Sequence, residues 1–408
     1  MAVASLPPTA DVVIIGGGVH GASLAYHFAR KRAGQVLLIE RKFLASGPTG
    51  RSTAMVRRFY GLDFFTRTAS AAADVFQRWH DVVGGGDPGF QQVGYLVAVG
   101  PDEAENLAGN VARAQAVAAR VRLISPTEVK ALVPAMAVDD LAAASYEAES
   151  GYADPFSTTI ALADRARDLG ATIVPYESVR AILTDGRRVT GIRTDGGEVS
   201  APAVVVCAGL GAAALLAPLG IDVDVLPQRH QMCFFRRPSG FGPHPGIVDR
   251  PQGTYMRPEH GDLTIHGVGS YAEVVDPDRY NEGADPDEIT RNAELIARRF
   301  PIMEHGLAMG GYAGVYDTTP DEQPILGAIS EIEGLFANFG WSGHGFKHAP
   351  VMGDILSDLV LTGRSGAYDL RPFRWSRFRE GDLIPSASTT APPPQPPEAV
   401  SHPPRAGS

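Results

Sequence analysis

The sequence has 408 residues, with 36 basic and 46 acidic side chains and a formal net charge of −10. At about 100–200 residues per domain, this length predicts two or three domains or one large interleaved α/β body. The 44% apolar content excludes a wholly disordered chain. Mild acidity without a long basic run argues against nucleic-acid binding, because phosphates require clustered Lys and Arg.

Two cysteines, Cys207 and Cys233, are too few for a disulfide framework or a four-cysteine zinc site, and they favour a reducing compartment. No apolar run reaches the roughly 18 residues of a membrane-spanning helix, and residues 1–10 lack a secretory-signal pattern. We therefore expect a cytoplasmic protein without a transmembrane segment. The 46 glycines show no collagen-like period, so we expect them at turns and close to a ligand.

The first predicted elements form a βαβ unit. Residues 11–15 are an apolar, β-branched run typical of a buried parallel strand, and a glycine-rich turn separates them from a helical stretch at 22–32. A second buried strand at 36–39 ends at Glu40. Strand, turn, helix and strand in this order are a nucleotide-binding arrangement of about 30 residues.

The rest of the chain continues as α/β. After a Gly/Ser/Thr/Pro loop at 46–52, the pattern predicts helices at 64–80, 104–119, 155–169, 285–299 and 349–361, and strands at 95–99, 171–174, 189–194, 203–207 and 334–338. Residues 222–303 otherwise indicate short strands. From Ser386 the chain is rich in proline, with seven between Pro392 and Pro404, and we expect this tail (386–408) to be disordered.

Gly16, Gly18 and Gly21 match the pattern G-x-G-x-x-G between the first strand and helix. The first glycine permits the tight turn, the second lets backbone reach a pyrophosphate, and the third allows close packing of helix on strand. Glu40 lies about 20 residues on, where an acid binds a ribose hydroxyl. A bound dinucleotide is predicted, against an incidental glycine turn. One such motif near the N-terminus favours FAD over NAD.

Two motifs near the C-terminus identify a resemblance. Residues 319–327 read TPDEQPILG and residues 340–347 read GWSGHGFK. From about residue 11 to 361 the chain resembles the D-amino-acid oxidase superfamily of flavoproteins, specifically its sarcosine oxidase group. The glycines of 340–345 would let backbone lie flat against a planar ligand, and the N-terminus of the following helix would stabilise negative charge on a reduced flavin.

The resemblance implies the roles of several residues. The resemblance assigns binding of the substrate carboxylate to Arg57, in the segment 52–61, and to Lys347, which follows G-H-G-F. Charge-assisted hydrogen bonds from two cations in a dry site bind a carboxylate strongly and orient the substrate. Tyr255 falls where the family has a substrate-site tyrosine. His344 and His266 are candidate polar groups near the flavin. We expect cofactor contacts at Gly16, Gly18, Val19, His20, Gly21, Glu40, Arg41, Ser46, Ser52, Thr53, Val179, Ala208, Gly209, Gly340, Gly343, Gly345, Phe346 and Lys347.

Three departures from the family pattern limit this inference. The family's flavin-tethering cysteine is missing from residues 312–316, so non-covalent FAD is expected. Gly50 takes the place of an active-site histidine. His266 takes the place of the lysine that activates oxygen, and it would be positively charged only when protonated, with an ordinary pKa of about 6.5. Oxygen or another electron carrier could therefore be the acceptor.

The resemblance implies an FAD-binding, Rossmann-like α/β domain of the glutathione-reductase type with an interleaved α+β substrate domain on an antiparallel sheet. The FAD-binding domain would comprise residues 10–90, 151–219 and 310–375. The substrate domain would comprise residues 91–150 and 220–309. We expect oxidation of the C–N bond of a secondary amino acid (N-methyl or cyclic) by hydride transfer to flavin N5, giving an imine that water hydrolyses. Alternatives are a 2-hydroxy-acid dehydrogenase, the flavin subunit of a hetero-oligomeric amine dehydrogenase, or a binding protein without redox chemistry.

Overall fold

The computed structural model describes residues 6–117, 119–269 and 273–385, and the predicted disordered tail at 386–408 lies outside them. The helices within this part are α1 (Val19–Arg30), α2 (Asp63–Gln77), α3 (Trp79–Val82), α4 (Pro101–Ala116), α5 (Pro126–Leu132), α6 (Pro155–Asp168), α7 (Ala212–Leu216), α8 (Pro286–Arg299), α9 (Ala349–Thr362) and α10 (Arg377–Glu380). None of these helices is long and apolar enough to cross a membrane.

The strands in the same residues are β1 (Val12–Ile15), β2 (Val36–Glu40), β3 (Met55–Val56), β4 (Gln91–Gln92), β5 (Tyr95–Val99), β6 (Arg122–Ile124), β7 (Ala143–Glu147), β8 (Gly151–Tyr152), β9 (Thr172–Pro175), β10 (Val179–Asp185), β11 (Arg188–Thr194), β12 (Gly197–Ser200), β13 (Val204–Val206), β14 (Leu226–Arg236), β15 (Gly246–Asp249), β16 (Thr254–Pro258), β17 (Leu263–Val268), β18 (Glu273–Val274), β19 (Leu307–Thr318), β20 (Ile325–Ala328) and β21 (Leu335–Phe339).

The first sheet has the order β20-β21-β13-β1-β2-β9 in the described residues, parallel except for β20. Both of its faces are covered, which explains the uninterrupted apolar sequence of β1. Val12 and Ile14 belong to a core shared with α1, α6 and α9. Val13 and Ile15 belong to the opposite core, with α7 and the antiparallel sheet β10-β11-β12.

The second large sheet is mainly antiparallel and has the order β18-β14-β17-β16-β15-β5-β7-β6, with β19 also paired to β14. Its strands come from residues 95–147 and 226–318. Side chains alternate between a face covered by α5 and α8 and a face covered by α4 and β3. Strand β19 crosses the expected boundary at residue 310, and the domain bounds themselves stay a prediction.

The two large sheets are connected through the segment from residue 48 to β3 and through the turn at residues 346–348, and both segments carry predicted site residues. The chain from the 3₁₀ turn Pro48–Arg51 to β3 contacts β19 and the 3₁₀ turn Phe346–His348. Strand β3 pairs with β8, which also pairs with β4, in a small antiparallel sheet. The loop after β1, the loop after β2 and the loop after β21 are thereby held close to one another.

Candidate active site

The turn between β1 and α1 brings backbone groups unusually close together. Gly16 has a φ of +112°, and a Cβ here would overlap the carbonyl of Cys207 at the end of β13. A Cβ at Gly21 would overlap the carbonyl of Gly16. The N-cap residue of α1, Gly18, has no side chain to cap the helix, and the first turn of α1 contains no acid. Its backbone N–H groups and partial positive charge therefore suit a pyrophosphate.

Two side chains from the loop after β2 face this helix end. Thr49 Oγ1 accepts a hydrogen bond from the Val19 N–H at 3.2 Å and lies 3.0 Å from where a Cβ of Gly18 would be. The Glu40 carboxylate accepts the Gly17 N–H at 2.7 Å. Both groups could exchange these bonds for contacts to a dinucleotide. Sequence reasoning did not single out Thr49, whose signal was a hydroxyl side chain inside the small-residue loop.

Three further predicted cofactor contacts lie in the same loop. Ser46 donates a hydrogen bond to Glu40 at 3.3 Å, and Ser52 Oγ accepts the Ala54 N–H at 3.0 Å. The carbonyl of Thr53 accepts a hydrogen bond of 2.7 Å from Nε of Arg257 on β16. These bonds shape the loop between β2 and β3 and tie it to the second sheet.

The remaining predicted contacts are more dispersed. Arg41 is exposed and forms an ion pair of 3.0 Å with Asp278. Val179 begins β10 and packs against the core between the parallel sheet and the sheet β10-β11-β12. Ala208 and Gly209 follow β13, beside the glycine turn after β1. Their positions toward a cofactor stay a prediction.

The residues 340–345, which we call the glycine loop, follow β21. Added Cβ atoms would strike neighbouring protein side chains at three positions: Gly340 against Thr319, Gly343 against Tyr316, and Gly345 against Trp341. Packing within the protein therefore demands these glycines, in addition to any ligand. Phe346 points into the core and stacks on Phe76, with ring centroids 5.9 Å apart.

A buried carboxylate holds the start of the glycine loop. Asp317, near the end of β19, accepts the Gly340 N–H at 2.8 Å, and its backbone carbonyl accepts the Ser342 N–H. Burial raises the pKa of Asp317 to about 6, although the N–H donors of the loop oppose this rise. The loop geometry is thus linked to the end of β19.

Arg57 and Lys347 meet at one aromatic ring. The Arg57 guanidinium carbon lies 3.7 Å from the centroid of Tyr60, and Lys347 Nζ lies 5.6 Å from it. Arg57 donates to the Phe59 carbonyl at 2.8 Å, and Lys347 to the His344 carbonyl at 3.0 Å. Neither cation forms an ion pair with a carboxylate of the described residues. We call this arrangement of Arg57, Tyr60 and Lys347 the cation pair.

The electrostatics of the cation pair reflect burial and the mutual proximity of the two cations and Tyr60. Burial, together with Arg57, lowers the pKa of Lys347, even though Tyr60 opposes the effect. Burial alone would raise the pKa of Tyr60, but the two adjacent cations outweigh it and the pKa is lowered. A carboxylate ligand would neutralise this excess positive charge and form charge-assisted hydrogen bonds.

The neighbouring Arg58 has a different environment. It is buried, its Nη1 lies 2.7 Å from Asp74, and it also donates to the carbonyl of Ser70 at 3.0 Å. Its guanidinium is therefore committed within the protein, whereas that of Arg57 is half-buried without a carboxylate partner in the described residues. The two neighbouring arginines therefore differ in their contacts, and the role of Arg57 in substrate binding stays a prediction.

Tyr255 and His266 lie on neighbouring strands but on opposite faces of the second sheet. Tyr255 on β16 is paired with Gly267 on β17, so the adjacent His266 points to the other face. There its Nδ1 lies 2.6 Å from Asn292 Oδ1 on α8, and burial lowers its pKa to about 4. His266 therefore packs between the second sheet and α8 and not on the face that carries Tyr255, which does not support its expected position near the flavin, because successive side chains along a strand point to opposite faces.

Tyr255 itself lies on the side of the cation pair. Its hydroxyl donates to Met232 Sδ at 2.9 Å, and it interacts electrostatically with Tyr316 and Tyr95. The Arg57 guanidinium carbon is 5.8 Å from the Tyr95 ring. Tyrosines therefore line the space beside the two cations. Tyr60 lies in the segment 52–61 that also contains Arg57, whereas Tyr95 belongs to no motif.

The predicted histidines near the glycine loop are electrically neutral. His344 Nε2 lies 3.0 Å from the Glu322 carbonyl, while its buried Nδ1 has no hydrogen-bond partner in the described residues. Burial, with Lys347, lowers its pKa to about 3. His20 stacks on Trp341 with centroids 4.5 Å apart, and burial lowers its pKa to about 3 as well.

Comparison with known proteins identifies the family. Residues 11–359 match the family model DAO, described as FAD dependent oxidoreductase. The chain belongs to this family. It is 28% identical over 397 residues to human mitochondrial sarcosine dehydrogenase, covering 92% of this chain and 43% of that protein, so the chain spans less than half of its length. It is 28% identical to human peroxisomal sarcosine oxidase, over 90% of this chain and 96% of that protein.

Comparison with solved structures supports the same family. The L-proline dehydrogenase of P. horikoshii superimposes with a TM-score of 0.86 at 26% identity, covering 93% of this chain and all of that chain. The predicted family, the FAD-binding α/β fold with a second antiparallel sheet, and FAD as cofactor are confirmed. The free helix end, Glu40 and the nearby Thr49 suit the pyrophosphate and ribose of FAD.

Proposed function

We propose that this FAD-dependent oxidoreductase oxidises the C–N bond of a secondary amino acid, either N-methylated or cyclic. The observation that carries the proposal is the cation pair, in which Arg57 and Lys347 converge on Tyr60 without a carboxylate of the described residues. Two unpaired cations in a partly buried site suit the carboxylate that all amino acids share. The electron acceptor is oxygen or an electron carrier.

The names of the relatives support a secondary amine as the group that is oxidised. Sarcosine, named in two of the relatives, and L-proline, named in the structural neighbour, are both secondary amino acids with one carboxylate. The shared chemistry is a secondary amine one carbon away from a carboxylate. A site that grips the carboxylate fixes where this amine and its neighbouring carbons lie.

When bound, FAD would supply the two-electron acceptor for the carbon beside the nitrogen. The chain's own residues would orient the substrate through Arg57 and Lys347, and the tyrosines at 60, 95 and 255 would shield it from water. The neutral His344 offers its unpartnered Nδ1 as a hydrogen-bond acceptor for a substrate N–H. The amine would bind in its neutral form, so that no strong base is needed.

The test is an anaerobic screen of flavin bleaching with sarcosine, L-proline, other N-alkyl amino acids, primary amino acids and 2-hydroxy acids. We expect bleaching by secondary amino acids. Lys347→Met should raise the KM by about 10- to 100-fold, since a hydrogen bond to a charged group contributes about 1.5–3 kcal/mol. Arg193→Ala, which removes an exposed arginine paired with Glu198, is the control and should leave KM unchanged.

Two outcomes would contradict the proposal. Bleaching by 2-hydroxy acids alone would make the protein a hydroxy-acid dehydrogenase that uses the same carboxylate site. An unchanged KM in Lys347→Met would remove the cation pair from substrate binding. Reoxidation of the bleached enzyme by air, compared with reoxidation by a dye, then separates an oxidase from a dehydrogenase.

A further inference from the structure

Glu147 is a buried carboxylate at the end of β7, with no ion-pair partner in the described residues. Its Oε2 accepts the Arg58 N–H at 2.5 Å and the Ser150 hydroxyl at 2.7 Å, and its Oε1 accepts the Phe59 N–H at 3.3 Å. Both carboxylate oxygens are thus bonded to the two residues that directly follow Arg57.

These bonds fix the backbone from which the Arg57 side chain extends. Arg57 itself donates to the carbonyl of Phe59, one of the two residues whose N–H groups Glu147 holds. The Arg58 guanidinium pairs with Asp74 and does not neutralise Glu147. A change at Glu147 would therefore displace Arg57 through one or two peptide units.

Glu147 also acts on the cation pair by charge. A buried carboxylate is costly unless its charge is compensated, and Glu147 interacts electrostatically with both Arg57 and Lys347. Two like charges beside one ring repel each other, and since the Arg57 guanidinium keeps its charge, a nearby anion favours the protonated form of Lys347. Strand pairing places Glu147 opposite Tyr95, which the Arg57 guanidinium also approaches.

We propose that Glu147 positions Arg57 and supplies the counter-charge that keeps Lys347 protonated beside Arg57 until a carboxylate ligand binds. This inference rests on the proposed function, because the ligand is the substrate carboxylate. Sequence reasoning missed Glu147, since a lone acid at the end of a strand has no motif.

The pH dependence of carboxylate binding tests the charge. The titratable groups that face the cation pair are Tyr60, Tyr95, His344, His348 and Glu147. The histidines are neutral near pH 7, and the pKa of Tyr95 is raised to about 12, so Lys347 and Tyr60 determine the loss of binding at high pH. Removing the negative charge of Glu147 would lower the pKa of Lys347, and binding would weaken at a lower pH.

The experiment measures the Kd of acetate from the absorbance of bound FAD, across the pH range in which the holoenzyme stays folded. We expect Glu147→Gln to weaken acetate binding about 10-fold at neutral pH, equivalent to about 1.4 kcal/mol, and to shift the loss of binding at high pH toward lower pH. Glu198→Gln is the control: the same chemical change at an exposed carboxylate paired with the exposed Arg193, away from the cation pair. It should match the wild type in both respects.

Each result is decisive. Weaker binding with an unshifted pH dependence would reduce Glu147 to a structural residue. Unchanged or tighter binding would overturn its role altogether, since tighter binding would mean that Glu147 mainly repels the ligand. If the wild type binds no carboxylate, the proposed function fails with it. Should Glu147→Gln not fold, Glu147→Asp keeps the charge and shortens the side chain. It should weaken acetate binding without shifting the pH dependence, and unchanged binding would overturn the positioning role.

Discussion

Asp317 is a single residue whose burial should be visible in the stability of the whole protein. Its folded-state pKa of about 6 exceeds the ordinary value of 3.8, so the folded protein binds this proton more tightly than the unfolded chain does. The resulting stabilisation is complete below pH 3.8 and is lost as the pH rises through about 6. At neutral pH the ionised Asp317 therefore costs up to about 3 kcal/mol.

Asp317→Asn removes this proton equilibrium and keeps an oxygen that can accept the Gly340 N–H. We expect the Tm of the variant, relative to wild type, to be highest above pH 6 and to fall as the pH is lowered toward 4. Differential scanning calorimetry across this range measures it. Asp195→Asn, at an exposed acid paired with Arg180, corrects for the loss of one negative charge. A Tm difference independent of pH would show that Asp317 is not titrating.

For individual residues, the sequence predicted those that belong to recognisable motifs. It missed those whose role depends on contacts with distant parts of the chain. Arg57 and Lys347 were predicted as substrate ligands because the family motifs contain them, and their roles stay predictions. Glu147 gave no signal because two of its three hydrogen bonds join β7 to a segment almost 90 residues earlier. The position of His266 on the face opposite Tyr255 was not foreseen because an alignment carries no information on the pleat of a strand.

The short helix α10 is joined to the loop before β20 by an ion pair that is wholly inaccessible to water. Arg377 Nε lies 2.7 Å from Asp321 Oδ2, and its Nη2 also donates to the Gln323 carbonyl at 2.7 Å. The same turn contacts the glycine loop through Thr319, whose N–H donates to Ser342 Oγ. We therefore expect α10 to hold the turn that supports the glycine loop.

Arg377→Met should lower the free energy of unfolding by about 3–5 kcal/mol, because it leaves the Asp321 carboxylate buried and uncompensated. The double variant Asp321→Asn/Arg377→Met should recover part of this loss, since the uncompensated charge is gone. Urea unfolding of the wild type, both single variants and the double variant measures the coupling. Strictly additive effects would contradict a direct interaction.

Helices whose ends and apolar periodicity are encoded in the local sequence were predicted most accurately. Helix α6 was expected at 155–169 and is Pro155–Asp168, while α9 was expected at 349–361 and is Ala349–Thr362. In contrast, the long strand β14 was missed among the expected short strands. Its polar Arg229 is buried through an ion pair with Asp285, 56 residues later, and such a partner is invisible to local periodicity.

In the whole molecule, neither cysteine lies where the family tethers its flavin. Cys207 follows β13 beside Gly16, and Cys233 on β14 faces α8, with its Sγ 4.0 Å from the Glu288 carbonyl. Burial raises the pKa of both thiols, that of Cys233 to about 12, so neither is a reactive thiolate at neutral pH. Acid precipitation should therefore leave all the yellow colour in the supernatant, and colour in the pellet would reveal a covalent bond.

Apoprotein prepared without denaturation tests how the fold depends on FAD. FAD would be held by segments from opposite ends of the chain, residues 16–21, 40–53 and 340–348. Its binding therefore stabilises contacts between segments that are distant in sequence. We expect FAD to raise the apoprotein Tm in proportion to the logarithm of its concentration. FMN lacks the adenosine and second phosphate that the α1 N-terminus and Glu40 suit, so its effect should be much smaller. Equal stabilisation by FMN and FAD would show that the turn after β1 contributes little to cofactor binding.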